Sequence, residues 1–239
     1  MSYSIRNTAV LFVFLAVSHN AFAASTSAQK YSVSIGAMAF SDFSPNTDTD
    51  FVGASYSMPW SLSVKRNDLR VGVSGSFLTQ VQSDDSTLSG SGDISVSLSY
   101  AVNDWMNVKV KHKFSTGDED LGFSSGEDDN ALSLDFYHIA SYQAAYFATT
   151  GYKWVGKGDR TDRVDGANLS LGASYIVSPS FNLAGSLDYS QSTYTTSGDV
   201  TALTLFGSHK TTRTAYVGWF VSRDTTSTYS IGTSFGRSF

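Results

Sequence analysis

Along much of the chain, large apolar residues alternate one by one with small polar ones. In residues 52–64 every second residue is apolar, and serine, glycine and proline fill the positions between. Residues 94–102 repeat the alternation, with serine at most of the intervening positions. Side chains of a β-strand point alternately to its two faces, so this period of two predicts strands with one apolar face and one small polar face.

The same alternation marks twelve candidate strands. They are residues 30–43, 51–66, 69–82, 93–102, 105–116, 131–141, 144–155, 167–177, 181–194, 199–209, 213–223 and 229–239. Two of them fit poorly, because 144–155 is apolar on both faces and 213–223 carries aromatic residues on both. Each is long enough to cross a bilayer when tilted, which takes about 9–11 residues. We expect about twelve strands, with ten or fourteen as the alternatives.

The connections and faces of these strands favour a membrane barrel. Short links alternate with mostly longer ones, as in bacterial barrels, which have short periplasmic turns and longer outer loops. A soluble β-sandwich would need a second sheet to cover its apolar faces. Faces made largely of serine and glycine instead suit a water-filled interior. The predicted fold class is all-β: a transmembrane antiparallel up-and-down β-barrel.

The start of the chain predicts the compartment. Residues 1–6 form a short basic start, residues 9–17 are apolar, and Ala21, Phe22 and Ala23 give a small-x-small cleavage pattern. Nine apolar residues are too few for a membrane helix, which needs about 20. We therefore predict a signal peptide over 1–23 and a single barrel domain over 24–239, in the outer membrane of a Gram-negative cell.

The end of the chain predicts a partner. The last strand stops on Phe239, which resembles the signal that the barrel-insertion machinery reads on bacterial barrels. We expect that machinery, outer-membrane lipid, lipopolysaccharide and a small-molecule solute as partners of a monomer that binds no nucleic acid and no cofactor. The chain has no cysteine, which excludes disulfides and thiolate metal sites. The aromatic residues expected at the two lipid–water boundaries are Trp60, Trp105, Trp154, Trp219, Tyr100, Tyr175 and Tyr189.

Acidic residues concentrate in the predicted outer loops. The chain has 16 Lys and Arg against 21 Asp and Glu, a formal net charge of -5. The densest acidic loop, residues 117–130, carries Asp118, Glu119, Asp120, Glu127, Asp128 and Asp129. Several flexible oxygens are what Ca²⁺ prefers, but the loop lacks the spacing of a defined calcium loop. The alternative is a solvated loop that shares divalent cations with lipid phosphates, which Lys157, Arg160 and Arg163 could also contact.

The predicted wall has the opposite charge. Lys109, Lys111 and Lys113 share one face of a strand, and apolar residues occupy most of the other. A lysine facing hydrocarbon near the midplane costs about 2–4 kcal/mol, so this ladder must face the lumen. Lys153 is expected to extend the ladder, and Arg70 to extend it near the periplasmic end.

One acidic residue is predicted on the same inner face. The neighbouring strand turns Asp135 inward, and a register that places it opposite Lys111 is allowed by the alternation. We predict a lumenal ion pair between the two. Either the lysines and Asp135 line the path of a solute, or they neutralise each other in a plugged interior.

These features predict a channel or transporter for passive uptake of a small solute through a narrow lumen. The alternative is a structural or surface-interaction barrel with a plugged lumen and acidic outer loops. A third possibility is an outer-membrane lipid hydrolase, since a twelve-stranded phospholipase exists and His112 and His138 occupy lipid-facing positions. The His-x-Ser-Asn-Gly stretch of that family is missing here, so we predict no enzyme.

Several short segments carry a family resemblance. They are residues 92–100, 111–118, 121–129, 151–156 and 171–175. These segments resemble the outer-membrane transporters associated with the meta-pathway of phenol degradation, and the likeness spans 92–239. That family usually has Pro-Thr-Gly where this chain has Ser115, Thr116 and Gly117. The resemblance implies a transport-like barrel with small aromatic or hydrophobic solutes, and it brings no defined binding residues.

Overall fold

A computed structural model describes residues 30–42, 54–83, 86–117, 123–157 and 162–239. The strands are β1 (Lys30–Asp42), β2 (Ala54–Arg66), β3 (Leu69–Ser83), β4 (Ser86–Gly90), β5 (Ile94–Asn103), β6 (Met106–Phe114), β7 (Asp129–Ile139), β8 (Ala144–Val155), β9 (Gly166–Ser178), β10 (Phe181–Ser190), β11 (Val200–Lys210), β12 (Ala215–Asp224) and β13 (Thr228–Ser238). This described part of the chain contains no helix long and apolar enough to cross a lipid bilayer. The predicted signal peptide, 1–23, lies outside the described residues.

Twelve strands close into a barrel, which confirms the predicted fold class. Each pairs antiparallel with its neighbours in the order β1, β2, β3, β5 and on to β13. The last strand pairs with the first, from Ser32 opposite Ser238 to Asp42 opposite Thr228. At the end of this seam, Phe239 N donates to Tyr31 O at 2.9 Å. Along the described wall, closure leaves an open sheet edge only beyond Ser74 of β3.

The additional strand, β4, lies in a segment predicted to be a loop. It pairs only with Thr79–Ser83 at one end of β3. The next barrel strand, β5, covers β3 only from Leu69 to Ser74. Beyond Ser74, β5 therefore leaves backbone groups on that edge of β3 without a partner. β4 pairs with those from Thr79 to Ser83. The predicted loop over 83–92 is wrong in this respect.

The two faces of the wall differ as the alternation predicts. On β5, Ile94 and Leu98 are exposed on the outer face, whereas Ser95 is buried on the inner face. Of the predicted boundary aromatics, Trp105 and Trp154 are exposed near strand ends. Trp219 lies near the middle of β12, so it does not mark a boundary as predicted.

The two ends of the barrel have different connections. The terminal end, which carries residues 30 and 239, has the tight links 67–68, 104–105, 140–143, 179–180 and 211–214. Asn67 adopts φ 52° in the first of these, a left-handed conformation that asparagine tolerates. The opposite end, here the loop end, has most of the longer links, although 225–227 is short. In that short link Asp224 Oδ1 accepts the N–H groups of Thr226 and Thr228.

Candidate functional site: the inner face of the barrel

The lysine ladder lies on the inner face. On β6, Val110 is 49% exposed on the outer face, and Lys109, Lys111 and Lys113 occupy the alternate positions. Their partners on β5 are all serines: Ser99, Ser97 and Ser95. Arg70 also alternates with exposed apolar neighbours and lies near the terminal end of β3. A row of small hydroxyls therefore runs beside a row of ammonium groups.

The predicted ion pair between Asp135 and Lys111 is wrong. Asp135 lies opposite Asn107, and Lys111 lies opposite Ala131. Asp135 is buried, and its Oδ1 accepts a hydrogen bond from Thr149 Oγ1 at 2.8 Å. The alternation restricts the register only to steps of two residues, and the real register differs from the predicted one by four.

Lys153 joins the ladder through β8. It lies opposite Ala131, so Lys111, Ala131 and Lys153 form one row across three strands. Strands lie about 4.8 Å apart, which puts the Cα atoms of the two lysines about 10 Å apart. The alanine leaves open space between the two side chains. Among the described residues, no carboxylate forms an ion pair with Lys109 or Lys111.

Asp129 is the centre of an ion network at the loop end. Its carboxylate is 4% exposed, and Oδ1 accepts from Arg163 Nη2 at 3.0 Å and from Gly156 N at 3.2 Å. Its Oδ2 lies 3.2 Å from Lys153 Nζ and 3.4 Å from Lys113 Nζ. One carboxylate thus serves three cations. Such a carboxylate belongs to the inner wall rather than to a solvated outer loop.

A second carboxylate supports this network. Asp93 Oδ2 lies 2.7 Å from Lys113 Nζ, which also donates to Ser125 Oγ at 2.8 Å. Asp93 Oδ1 accepts from Gly117 N at 3.0 Å. The ammonium group of Lys113 therefore contacts two carboxylates and a hydroxyl. Lys109 and Lys111 on the same strand have no carboxylate partner among the described residues.

Arg163 was predicted to contact lipid phosphates, but the structure buries it beside Asp129. It is 3% exposed, and its Nη1 donates to Gly156 O at 2.6 Å. Its guanidinium lies 5.8 Å from the ring centroid of Tyr194, with which it forms an isolated β-bridge. No sequence pattern links Arg163 to Asp129, because 34 positions separate them.

The acidic loop does not act as one cluster in its described part. Asp128 Oδ1 accepts from Ser115 N at 2.8 Å, and Oδ2 lies 3.4 Å from His112 Nε2, whereas Asp129 points inward. No group of three acidic or histidine side chains within the described residues is arranged to hold a metal ion. Asp118, Glu119 and Asp120 lie outside the described residues, so the calcium site stays a prediction.

A separate carboxylate on the inner face has only hydroxyl partners. Asp188 of β10 accepts from Ser170 Oγ at 2.5 Å, Ser186 Oγ at 2.8 Å and Thr204 Oγ1 at 3.1 Å. No lysine or arginine in the described ranges pairs with it. Cations and carboxylates are therefore partly segregated around the inner wall, with Lys109 and Lys111 on β6 and Asp188 on β10.

Aromatic side chains also face inward. The rings of Phe147 on β8 and Phe206 on β11 have centroids 6.1 Å apart. Two strands lie between them, so the rings can meet only over the inner face, above the small residues Gly172 and Ala184. Phe220 of β12 joins them, and a Cβ at its neighbour Gly232 would overlap its ring.

Two of these rings, Phe147 and Phe220, come from the two strands that fit the alternation poorly. Inward-facing Phe147 explains why 144–155 is apolar on both faces. Inward-facing Phe220 explains why 213–223 carries aromatic residues on both faces. That misfit is the sequence signal that could have predicted them. Lys153 lies six residues beyond Phe147 on β8, roughly 20 Å along the strand. Lys153 therefore lies nearer the loop end of β8, and Phe147 lies nearer the terminal end.

Two histidines on the outer face, His112 and His138, contact an amide oxygen and aromatic rings. His112 Nδ1 lies 2.9 Å from Asn130 Oδ1, and its ring packs edge-on against Phe114 at 4.4 Å. His138 stacks on Tyr146. In the described part of the chain, no serine or threonine hydroxyl is hydrogen-bonded to either ring.

Comparison with known proteins gives fold likenesses. No protein-family model matches the chain, and no curated protein matches it. An outer-membrane channel from Pseudomonas putida F1 has a similar structure, with a TM-score of 0.69 and 14% identity over 90% of this chain and 97% of that one. The KdgM porin has a TM-score of 0.56 and 12% identity over 86% of this chain and 99% of that one. The NanC porin has a TM-score of 0.57 and 12% identity over 85% of this chain and 98% of that one.

Proposed function

We propose that the protein is a narrow outer-membrane channel for passive uptake of a small solute, with the lysine ladder along the path. One observation carries the proposal: Lys109 and Lys111 project from the inner wall of a closed barrel with no carboxylate partner among the described residues. An isolated buried charge is very costly, so water or solute must reach these ammonium groups.

The outer face supports the location. Large apolar side chains such as Leu98, Leu171 and Ile231 are 48–61% exposed around the barrel, far more apolar surface than a soluble monomer presents. Hydrocarbon is the solvent that such a face suits. In this orientation the terminal end faces the periplasm, and the loop end faces outward.

The processing and assembly steps follow from that location. We propose that the signal peptide, 1–23, is removed and that 24–239 forms one domain. The terminal strand then presents Phe239 to the barrel-insertion machinery at the periplasmic side.

The plugged alternative requires the inner charges to neutralise one another. Asp93 and Asp129 together supply two negative charges to Lys113, Lys153 and Arg163. Asp135 and Asp188, by contrast, are held by hydroxyl groups of their own neighbourhood. Lys109 and Lys111, which have no carboxylate partner in the described part of the chain, therefore favour a hydrated path over a sealed interior.

The ladder gives the channel a means of selection. Fixed positive charges along a narrow path raise the local concentration of anions and lower the barrier to their passage. The similar structures are described as a channel and as porins, and one KdgM structure is in complex with oligogalacturonate. These likenesses support transport rather than catalysis.

Single-channel recording tests this proposal. Purified, folded protein added to a planar lipid bilayer should produce discrete, small conductance steps. The same preparation unfolded by heating is the control and should produce none. A folded protein that inserts into the bilayer and gives no conductance would contradict the channel and support the plugged barrel.

A further inference from the structure

Resting on the proposed channel, we infer that its solutes are extended anions that carry several negative charges along their length. Such a solute follows the basic track, which is defined as the inner-face residues Lys65, Arg70, Lys109 and Lys111. It contacts two or three of these cations at the same time.

Most of the track forms one row across neighbouring strands, beginning near the terminal end. Lys65 of β2 lies directly opposite Arg70 of β3. Arg70 lies opposite Ser99 of β5, which in turn lies opposite Lys109 of β6. Neighbouring strands lie about 4.8 Å apart, so the Cα atoms of Arg70 and Lys109 are about 10 Å apart. Lys111, two residues further along β6, is about 7 Å from Lys109.

The track differs from the other inner cations in having no carboxylate partner. Ion pairs hold the cations at the loop end, namely Lys113, Lys153 and Arg163. In the described part of the chain, none of the four track residues forms an ion pair with a carboxylate. All four are partly exposed, so a solute in the lumen can reach them.

The facing positions of Lys65 and Arg70 indicate a functional role. Like charges directly opposite each other destabilise a sheet. Arg70 repels Lys65, and so does Lys30, which lies opposite Lys65 on β1, whereas Asp68 in the adjacent link attracts it. The next inner residue of β2 is Ser63, so the wall itself does not require a cation in this row. A local conflict of this kind is typical of a functional site.

The neighbouring sector of the inner wall repels anions. Its carboxylates lie in one row, in which Asp135 of β7 and Asp188 of β10 are separated by Thr149 and Ser170. Thr149 donates a hydrogen bond to Asp135, and Ser170 donates one to Asp188. The charge on a solute is therefore attracted by one side of the lumen and repelled by the other, which keeps an anion beside the track.

Two tyrosines bring the solute close to Arg70. Tyr137 of β7 and Tyr216 of β12 lie on the inner face, and both interact electrostatically with Arg70. Around the barrel, β7 is three strands and β12 four strands away from β3. The three side chains therefore extend toward one another across the lumen, and a solute that crosses this level passes beside the guanidinium group.

The spacing of the track selects the shape of the solute. A compact anion reaches one cation or one neighbouring pair. A chain with charges about 7–10 Å apart reaches Arg70, Lys109 and Lys111 together, because these are the distances between them. Several weak contacts on one molecule reinforce one another, and each can still exchange singly, which conduction requires.

Blocking of the ion current tests this inference with three probes at mildly alkaline pH. N-acetyl-triglutamate amide carries three carboxylates along a chain, citrate carries three on a compact centre, and N-acetyl-triglutamine amide has the chain without the charges. Triglutamate should half-block single channels at a concentration about tenfold lower than citrate, as expected when it makes two further partly exposed ion pairs. Triglutamine should not block in that range. Equal blocking by triglutamate and citrate would overturn the extended shape, and equal blocking by triglutamate and triglutamine would overturn the charge.

Variants locate the effect. Arg70→Gln should raise the half-blocking concentration of triglutamate several-fold and bring it close to that of citrate, whereas Arg70→Lys, which keeps the charge, should raise it much less. The matched control is Lys210→Gln, which removes an inner-face lysine opposite Tyr216 on β11, outside the track. If Lys210→Gln weakens the block as much as Arg70→Gln, the assigned track is wrong. If Arg70→Gln does not fold, Lys65→Gln makes the same test.

A binding measurement separates this inference from the channel itself. Isothermal titration of the folded barrel in detergent with triglutamate needs no conduction. Binding that Arg70→Gln weakens, in a barrel that gives no conductance, would overturn the channel and keep the track as a binding site. Conductance without preferential binding or block by triglutamate would keep the channel and overturn the inference.

Discussion

At the scale of single residues, the buried pair of Asp129 and Arg163 organises the loop end. The two side chains are 4% and 2% exposed, and Arg163 Nη2 donates to Asp129 Oδ1 at 3.0 Å. Removing one member of a buried pair leaves the other charged and unsatisfied, which costs more than the pair itself contributes. The Asp129 carboxylate also accepts a hydrogen bond from Gly156 N, which attaches the start of the 156–165 link to the barrel wall.

We expect Asp129→Asn to lower the free energy of unfolding by about 3 kcal/mol, because Arg163 is left buried without its counter-charge. Urea unfolding in lipid, followed by tryptophan fluorescence, measures the loss. Asp128→Asn is the matched control, since Asp128 is half exposed, and we expect about 0.5 kcal/mol or less. Equal losses in the two variants would contradict the assigned role of Asp129.

The sequence predicts which face of the wall a residue occupies better than it predicts which residues that residue contacts. The cost of lysine in hydrocarbon places Lys109, Lys111 and Lys113 on the inner face, and their alternation with Val110 agrees. The partners of Lys113 and Lys153 depend on the positions of Asp93, Asp129 and Arg163 in three dimensions, which the alternation does not contain.

At the scale of elements, the pairing of β6 with β7 decides which inner side chains meet. The alternation allows several registers two residues apart, and each would give the ladder a different partner. The observed register places Asn107 opposite Asp135 and leaves Lys111 opposite Ala131. The lack of a carboxylate partner for Lys111 among the described residues is thus a consequence of this register.

Paired cysteines check this register, and the native chain has none to interfere. We expect Asn107→Cys with Asp135→Cys to form a disulfide under mild oxidation, because facing Cα atoms lie about 4.5–5.5 Å apart. Lys111→Cys with Asp135→Cys should not, because four residues along the strand add roughly 13 Å. Electrophoretic mobility with and without reductant reads the result. Cross-linking of the second pair only would mean that the predicted register was right.

Most elements were predictable because their two faces differ. The bounds of β8 agree with the prediction, and those of β13 differ by one residue at each end. β4 was missed because its pairing depends on an edge of β3 that β5 leaves uncovered. β8 and β12 fitted the alternation poorly because each turns an aromatic ring toward the interior of the barrel.

At the scale of the whole molecule, the barrel separates three environments. Its outer face is apolar, its loop end holds an ion network, and its inner face carries lysines, hydroxyl-bound carboxylates and aromatic rings in different sectors. Closure between β1 and β13 makes these sectors face one enclosed interior.

The ion selectivity of single channels in a KCl gradient tests the central claim most directly. The native protein should show a reversal potential that indicates preference for chloride, because the ladder faces the path. Lys109→Glu, Lys111→Glu and Lys113→Glu together should abolish or reverse that preference, and Lys65→Glu should change it less. A reversal potential that is the same in the native protein and in the triple variant would contradict the claim that the lysine ladder lines the path.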